Sequence, residues 1–409
     1  TDFRVMSPTG WPDFPTPLRK NTQCCIYAFQ THKLIIYSIR FLIVNKKIRI
    51  AGIVSALIVS VIILTSPSSP PPIPEPPQNN TQNQFIEILA TNLEKPWAID
   101  FADERIFISE KGGTIRVINS GELLEKPLVT LRTANVFDGG LLGIATHPDF
   151  SQNNILYAYY TYVEEDKLWN KVIQIKESNS RIVEAKTIFD KIPGSSFSNG
   201  GIIKFGPDSK LYVGTGIVSD NSHEPQNLES LEGKILRLND DGTIPDDNPF
   251  GDSFVYSYGH RNPKGMAWDS LGNFYLTEIG PTKNDEINLI LPGKNYGWPN
   301  VQCHSTDTSF VNPLKCFDPS LEPGGIIFYS GDKLGLENFM ILASQKASNL
   351  YKAEVDENGV NLEGSILSGV GRIRDVAQGP EGYLYVITSN TDGKAFPSDD
   401  DDKLLRIMK

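Results

Sequence analysis

The chain is expected to fold as an all-β, six-bladed β-propeller, preceded by an N-terminal signal or anchor segment and a proline-rich linker. A hairpin of one pattern recurs six times, and repeats of this length mark repeat architectures. The units begin at Pro96, Gly140, Gly200, Lys264, Gly324 and Ile373, 44 to 64 residues apart, which is room for four short strands each. Helical periodicity is almost absent from the same stretch. A β-sandwich is the runner-up, but it gives no reason for one pair of strands to recur six times.

In chain order, residues 1–44 carry no organised pattern, and "LIIYSIRFLIV" is broken by Arg40. Residues 45–66 join the basic "NKKIR" to the uncharged "IAGIVSALIVSVIILT", a signal-peptide core or a tight membrane anchor with its basic flank on the cytoplasmic side. Residues 67–84 are a stiff coreless linker; its run "SPSSPPPIPEPPQNN" opens at Ser66, and the linker also carries the glycan-acceptor pattern Asn79-Asn80-Thr81. Residues 85–409 form the propeller, with "FIEILATNL" expected to complete the last blade as its outer strand. This order places the propeller outside the cell, at the membrane surface or secreted.

Charge narrows the partners. Residues 1–80 hold eight Lys/Arg against three Asp/Glu, and the rest holds 30 against 46. So acidic a body repels phosphate backbones, which argues against nucleic acid as a partner. Cys303 and Cys316 lie in a loop-rich exported stretch and read as a disulfide; a zinc pair with His304 is the competing reading and lacks a fourth ligand at a usual spacing.

The loops entering the inner strands gather polar residues that a core does not need. "GHRNP" presents His260, Arg261 and Asn262, a multi-donor set suited to carboxylate or carbonyl oxygens. Gly280-Pro281 can offer carbonyls as hard ligands for calcium, with Asp285 and Glu286 near by. Arg372 and Arg374 alternate on one face of a strand, and Lys346 lies at the matching place of the preceding blade; together they make a mouth for a multiply anionic small molecule. "SDDDDKLL" reads as a solvated turn, and His147 of "HPDF" as a turn cap.

"GLLGIATHPDF", "GGIIKFGPD", "GKILRLNDDGTIPDDNPF", "GHRNP", "TEIGP", "DEINLILPGKNYGWP" and "GRIRDVAQGPEGYLYVIT" resemble the soluble quinoprotein glucose and aldose sugar dehydrogenase family, over essentially all of residues 85–409. The resemblance implies a six-bladed propeller that holds pyrroloquinoline quinone (PQQ) and calcium at its mouth and oxidises aldoses at C1, passing electrons to an acceptor the sequence does not name. It assigns Arg261 and Asn262 to quinone and substrate contacts, Gly280 and Pro281 to calcium, and Lys346, Arg372 and Arg374 to the quinone carboxylates. On the catalytic side the pattern departs: Ser198 stands at the family histidine, Ile202 at an arginine, Ile217 at the aspartate after the second strand, and Lys264 at a glutamine.

A lone serine hydroxyl is no base near neutral pH, so His223, His260 or Lys264, the last with its pKa lowered by Arg261, are the candidates to replace the imidazole. Two readings follow: an exported oxidoreductase acting on a sugar or related alcohol, or a non-catalytic propeller that binds a glycan, a small anion or a protein partner at the cell surface. Other six-bladed chemistry, such as a calcium-dependent lactonase, has no clear ligand set.

Overall fold

The computed structural model describes residues 85–408; the segments expected before Phe85 lie outside the described residues. Six antiparallel sheets follow one another along the chain. Their inner strands are Pro96–Ala102, Leu141–Thr146, Gly200–Phe205, Pro263–Trp268, Pro323–Phe328 and Ile373–Gln378, each within one residue of the repeat starts read from the sequence. We number the blades 1 to 6 by these strands. Each inner strand contacts the next, and that of blade 6 contacts that of blade 1, so the ring is closed.

Closure is made by the N-terminal strand. Phe85–Ala90 pairs with Leu404–Met408 as the outer strand of blade 6, in a register of Phe85 with Met408 and Glu87 with Arg406. The Arg406 guanidinium also donates to the Glu87 carboxylate, Nε to Oε2 at 2.9 Å. The expectation for "FIEILATNL" is met in kind, with the strand ending at Ala90.

The recurring "LY" of the second strands has a packing reason. In four places an aromatic residue at the far end of one inner strand packs on the second-strand tyrosine of the preceding blade. Phe101 meets Tyr385, Phe205 meets Tyr157, Trp268 meets Tyr212 and Phe328 meets Tyr275, with centroids 4.9 to 5.2 Å apart. Such tilted pairs add about 0.5–1.5 kcal/mol each beyond buried area. The acid of the preceding turn anchors the tyrosine: Tyr212 donates to Asp208 at 2.9 Å, Tyr275 to Asp269 at 3.2 Å, and Tyr385 to Glu381. Turn and aromatic strand therefore recur together because each repeat needs both to join its neighbour.

Inner strands approach too closely for side chains at some contacts. A Cβ on Gly265 would lie 2.5 Å from the Gly324 carbonyl oxygen, and one on Gly324 would lie 2.0 Å from that of Arg374. Away from the strand starts the channel widens into a 770 Å³ cavity touched by all six inner strands, with Asp100, Lys204 and Asp375 on its wall. The strand starts make the opposite end, the mouth.

Two readings are refined. His147 does cap its turn, its Nδ1 accepting from the Asp149 N–H at 2.9 Å, on the blade face away from the mouth. The "SDDDDKLL" turn is not wholly solvated. Asp402 is buried and accepts from the Thr388 hydroxyl at 3.1 Å and the Thr391 N–H at 3.3 Å, because the turn must tie the last two strands together.

Replacing Gly265 with alanine should destabilise the propeller by roughly 1–3 kcal/mol through overpacking against a backbone that cannot retreat. The midpoint of denaturant unfolding measures it, and an unchanged midpoint would show that the inner ring has slack.

Candidate active site

The inner strands of blades 1, 4 and 6 begin at the mouth and deliver Trp97, Lys264 and Arg374 there. The Arg374 guanidinium lies 4.2 Å from the Trp97 ring centroid, and Lys264 Nζ lies 5.7 Å from it. Lys264 Nζ donates to Asp138 Oδ2 at 3.1 Å and to the Gly200 carbonyl at 3.2 Å. Lys111, half-buried, donates to the Phe137 carbonyl and faces the same carboxylate. Asp138 is the residue that sequence reasoning missed: "NVFDGG" carries no periodic or spacing signal, and only the docking of this loop on Ser196, through Asp138 N–H to Ser196 O at 2.9 Å, brings it in.

The electrostatics are lopsided. Asp138 is one carboxylate facing three cations, Lys111, Lys264 and Arg374; burial pulls its pKa up and the cations outweigh this, holding it below the usual carboxylate range. Burial depresses Lys264 to about 8, with Arg374 adding repulsion and Asp138 opposing both. The sequence expectation named Arg261 as the perturbing charge; the structure gives that place to desolvation, then Arg374. Arg374 is itself held below the usual guanidinium range by burial, and its one side-chain hydrogen bond is to Gln345 Oε1 at 3.3 Å. The Trp97 indole N–H is buried with no acceptor.

Ser198 sits beside this cluster in a left-handed conformation, φ 57°, and its carbonyl accepts from the Ile217 N–H at 2.9 Å. Among the described residues no imidazole or carboxylate bonds its hydroxyl. Ile202 and Ile217 are buried apolar residues. Asn199 organises the loop, donating to the Asp138 carbonyl at 3.2 Å, while Asn262 Oδ1 accepts from the Gly200 N–H at 3.1 Å.

His260 is fully buried between Ser257 Oγ, 2.8 Å from Nε2, and Glu278 Oε1, 3.1 Å from Nδ1. The row Ser257–His260–Glu278 has the spacing of a hydrolytic triad, but with no exposed member it serves as a brace, Glu278 Oε2 accepting from the Arg261 N–H at 2.7 Å. His260 is thereby removed from the candidate bases. His223 is exposed at the start of a 3-10 turn, Glu224–Gln226.

The remaining basic residues do not converge as one rim. Arg261 pairs with Asp220 at 2.8 Å and donates to the Ile279 and Gly280 carbonyls at 2.8 and 2.9 Å. Arg372 bridges Glu322 at 2.9 Å and Asp392 at 3.1 Å, and Lys346 is exposed. Arg372 repels Arg374 but is itself held in these two ion pairs.

Fit to the implied groups divides accordingly. An anionic, multiply carboxylated ring system suits the mouth, where buried donors outnumber acceptors and the Trp97 N–H lacks a partner. Calcium does not suit the Gly280 carbonyl as arranged, since a guanidinium already occupies it, and among the described residues no three His, Cys, Asp or Glu side chains are placed to hold a metal. The Cys303–Cys316 disulfide is present, its Cα atoms 5.7 Å apart, so the zinc reading falls away.

Beside the Arg261 loop, burial and then the Glu278 charge push Glu286 up to about 8. An acid whose folded pKa is raised contributes stability that is complete below its unfolded value and lost as pH rises through the folded one. Stability should therefore decline from about pH 4.5 to about pH 8, and Glu286→Gln should flatten that decline in unfolding midpoints measured across the window. An unchanged slope would assign the pH dependence elsewhere.

Comparison with known proteins follows the same lines. The glucose/sorbosone dehydrogenase family profile matches residues 93–405. An aldose sugar dehydrogenase of Escherichia coli is 32% identical over 340 residues, 76% of this chain and 91% of that protein. The PQQ-bound form of aldose sugar dehydrogenase from Streptomyces coelicolor superposes with a TM-score of 0.71 at 31% identity, covering 80% of this chain and 98% of that one. The human Hedgehog-interacting protein is 28% identical over 256 residues, 52% of this chain and 37% of that protein. A six-bladed ring whose mouth suits a polyanionic ring system, matched over nearly all of the propeller, makes this chain a member of the PQQ-type glucose/sorbosone dehydrogenase family.

Proposed function

We propose that this chain is an exported oxidoreductase that oxidises an aldose or a related alcohol with PQQ seated at the channel mouth. The observation that carries the reading is the buried cluster of donors: Lys111, Lys264 and Arg374 gathered on the Asp138 carboxylate, with Asp375 and Asp392 also acting on Arg374 and the Trp97 N–H unpartnered. Arg374, the Trp97 N–H and Asn262 would hold the quinone, with Lys346 and Arg372 within the family pattern at the periphery. When bound, PQQ supplies a two-electron hydride acceptor. The chain's own residues orient the substrate and handle the proton of its hydroxyl.

Export is supported by the Cys303–Cys316 disulfide and by the apolar run of residues 45–66. Calcium at the Gly280 and Pro281 carbonyls belongs to the proposal only with Arg261 displaced from Gly280.

The departure at Ser198 favours a second reading. General-base assistance contributes about 10²- to 10⁴-fold in rate, and Ser198 has neither an imidazole nor a carboxylate to activate it. A propeller that keeps the anion-binding mouth without turnover, and meets a glycan or protein partner, explains Ile202 and Ile217 equally well.

Adding PQQ to purified apoprotein, with and without calcium, and following both quinone binding and dye reduction across a panel of aldoses separates the two. Turnover supports the oxidoreductase; stoichiometric binding without turnover supports a propeller that keeps the cofactor site without catalysis; no binding overturns the oxidoreductase and leaves the binding module. Arg374→Ala should weaken quinone binding tenfold or more with the fold intact. Arg372→Ala should instead lower stability by roughly 3 kcal/mol, because it strips the partner from two poorly exposed carboxylates. Equal quinone affinity in Arg374→Ala and the native chain would remove the cofactor from this site.

A further inference from the structure

We propose that Lys264, oriented by Asp138, takes the proton from the substrate hydroxyl at this mouth, in place of an imidazole. The proposal rests on the oxidoreductase reading above and adds to it the identity of the base and its positioning residue.

Among the described residues, Nζ has hydrogen-bond partners from two residues, Asp138 and Gly200. Its polar neighbours are the Asp138 carboxylate, Oδ2 at 3.1 Å and Oδ1 at 3.4 Å, and the Gly200 carbonyl at 3.2 Å. A neutral amine has two N–H donors and one lone pair. The donors are satisfied by Asp138 and Gly200 O, which leaves the lone pair for a proton from outside. Asp138 and Gly200 are fixed in turn. Asn199, between Ser198 and Gly200 in the chain, donates to the Asp138 carbonyl at 3.2 Å, and the Gly200 N–H is held by Asn262 at 3.1 Å. The amine thus sits against the very segment on which Ser198 replaces the expected imidazole.

Two of the alternatives are spent or unactivated. His260 spends both ring nitrogens on Ser257 and Glu278, and Ser198 has no activating partner among the described residues. Lys264 is 1% exposed at its side chain and its partner Asp138 26%. The charged groups facing Lys264 are Asp138, which favours the ammonium, and Arg374 and Lys111, which disfavour it. The Trp97 ring on its other side is uncharged. Burial and these two cations bring the amine within reach of neutrality at about pH 8, where a base is most effective.

The step balances as follows. The hydroxyl proton passes to Lys264 Nζ, which becomes an ammonium ion. The hydrogen on the adjacent carbon leaves with its electron pair to a quinone-class two-electron acceptor, and the carbon–oxygen bond becomes a carbonyl. The substrate is oxidised by two electrons and the quinone is reduced by two.

Reductive methylation with formaldehyde and cyanoborohydride reads the neutral amine without any turnover. On apoprotein, peptide mass spectrometry should show Lys264 labelling with a midpoint near pH 8, below surface lysines, which titrate near about 10.4. Asp138→Asn removes the charge that favours the ammonium, so the midpoint should move to lower pH. In PQQ-loaded protein the rising alkaline limb of kcat should share that midpoint and move with it. Lys264→Gln and Lys264→Arg should each lose about 10²-fold or more in kcat, with quinone affinity within about threefold. The arginine variant keeps the charge facing Asp138 and cannot release a proton at these pH values.

Lys264 protected from labelling at every pH, or kcat restored by Lys264→Arg, would overturn the role and leave the quinone reading standing. No quinone binding in protein whose Lys264 labels normally would overturn the quinone reading and take this role with it.

Discussion

The structure depends on closing a ring of sheets whose inner edges nearly touch. Backbone at Gly265 and Gly324 lies against the neighbouring strand's carbonyls, so each blade's inner strand is positioned by the next and none can shift alone. Only the sharing of one blade between the chain's two ends, Phe85–Ala90 beside Leu404–Met408, turns this neighbour-to-neighbour packing into a circle. Once it is closed, six strand starts converge on one axis, and residues nearly 280 positions apart, Trp97 and Arg374, stack on each other.

That convergence explains how an acidic protein carries a cationic site. The body's excess of Asp and Glu lies mostly outside the mouth, while desolvation at the strand starts makes a few basic groups dominate locally. Buried charge is costly without a partner, and Asp138 answers three cations, with Asp375 and Asp392 sharing in the balance at Arg374. The two arginines of the last blade divide the work. Arg372 is neutralised by Glu322 and Asp392 and serves the fold, whereas Arg374 keeps much of its binding capacity.

Much of this was legible in the sequence. The six repeats, the closing strand and the starts of the inner strands follow from local pattern, because a blade is built from hairpins whose turn acid and second-strand tyrosine lie four to six residues apart. Motif and alternation also single out Ser198, Arg374 and Lys264, which lie at or just before the starts of inner strands. Asp138 was not, since its role arises from a loop of the first blade docking on the loop that leads into the third. Lys346 was expected at the mouth by analogy of position and is exposed, and His260 was expected among available groups and is locked in a buried brace. In each case sequence spacing fixes which element carries the residue, while the direction of the side chain depends on contacts from other blades.

The blade built from both ends has a consequence for biosynthesis. During translation the strand that Phe85–Ala90 must join is made long after it, so a nascent chain holds an open circle until Leu404–Met408 has left the ribosome. The pocket, which borrows from blades 1, 4 and 6, has no partial form in that interval. A cofactor can be loaded only after that strand is in place, and a chain that stops before Leu404 forfeits the pocket along with the sheet that closes the ring.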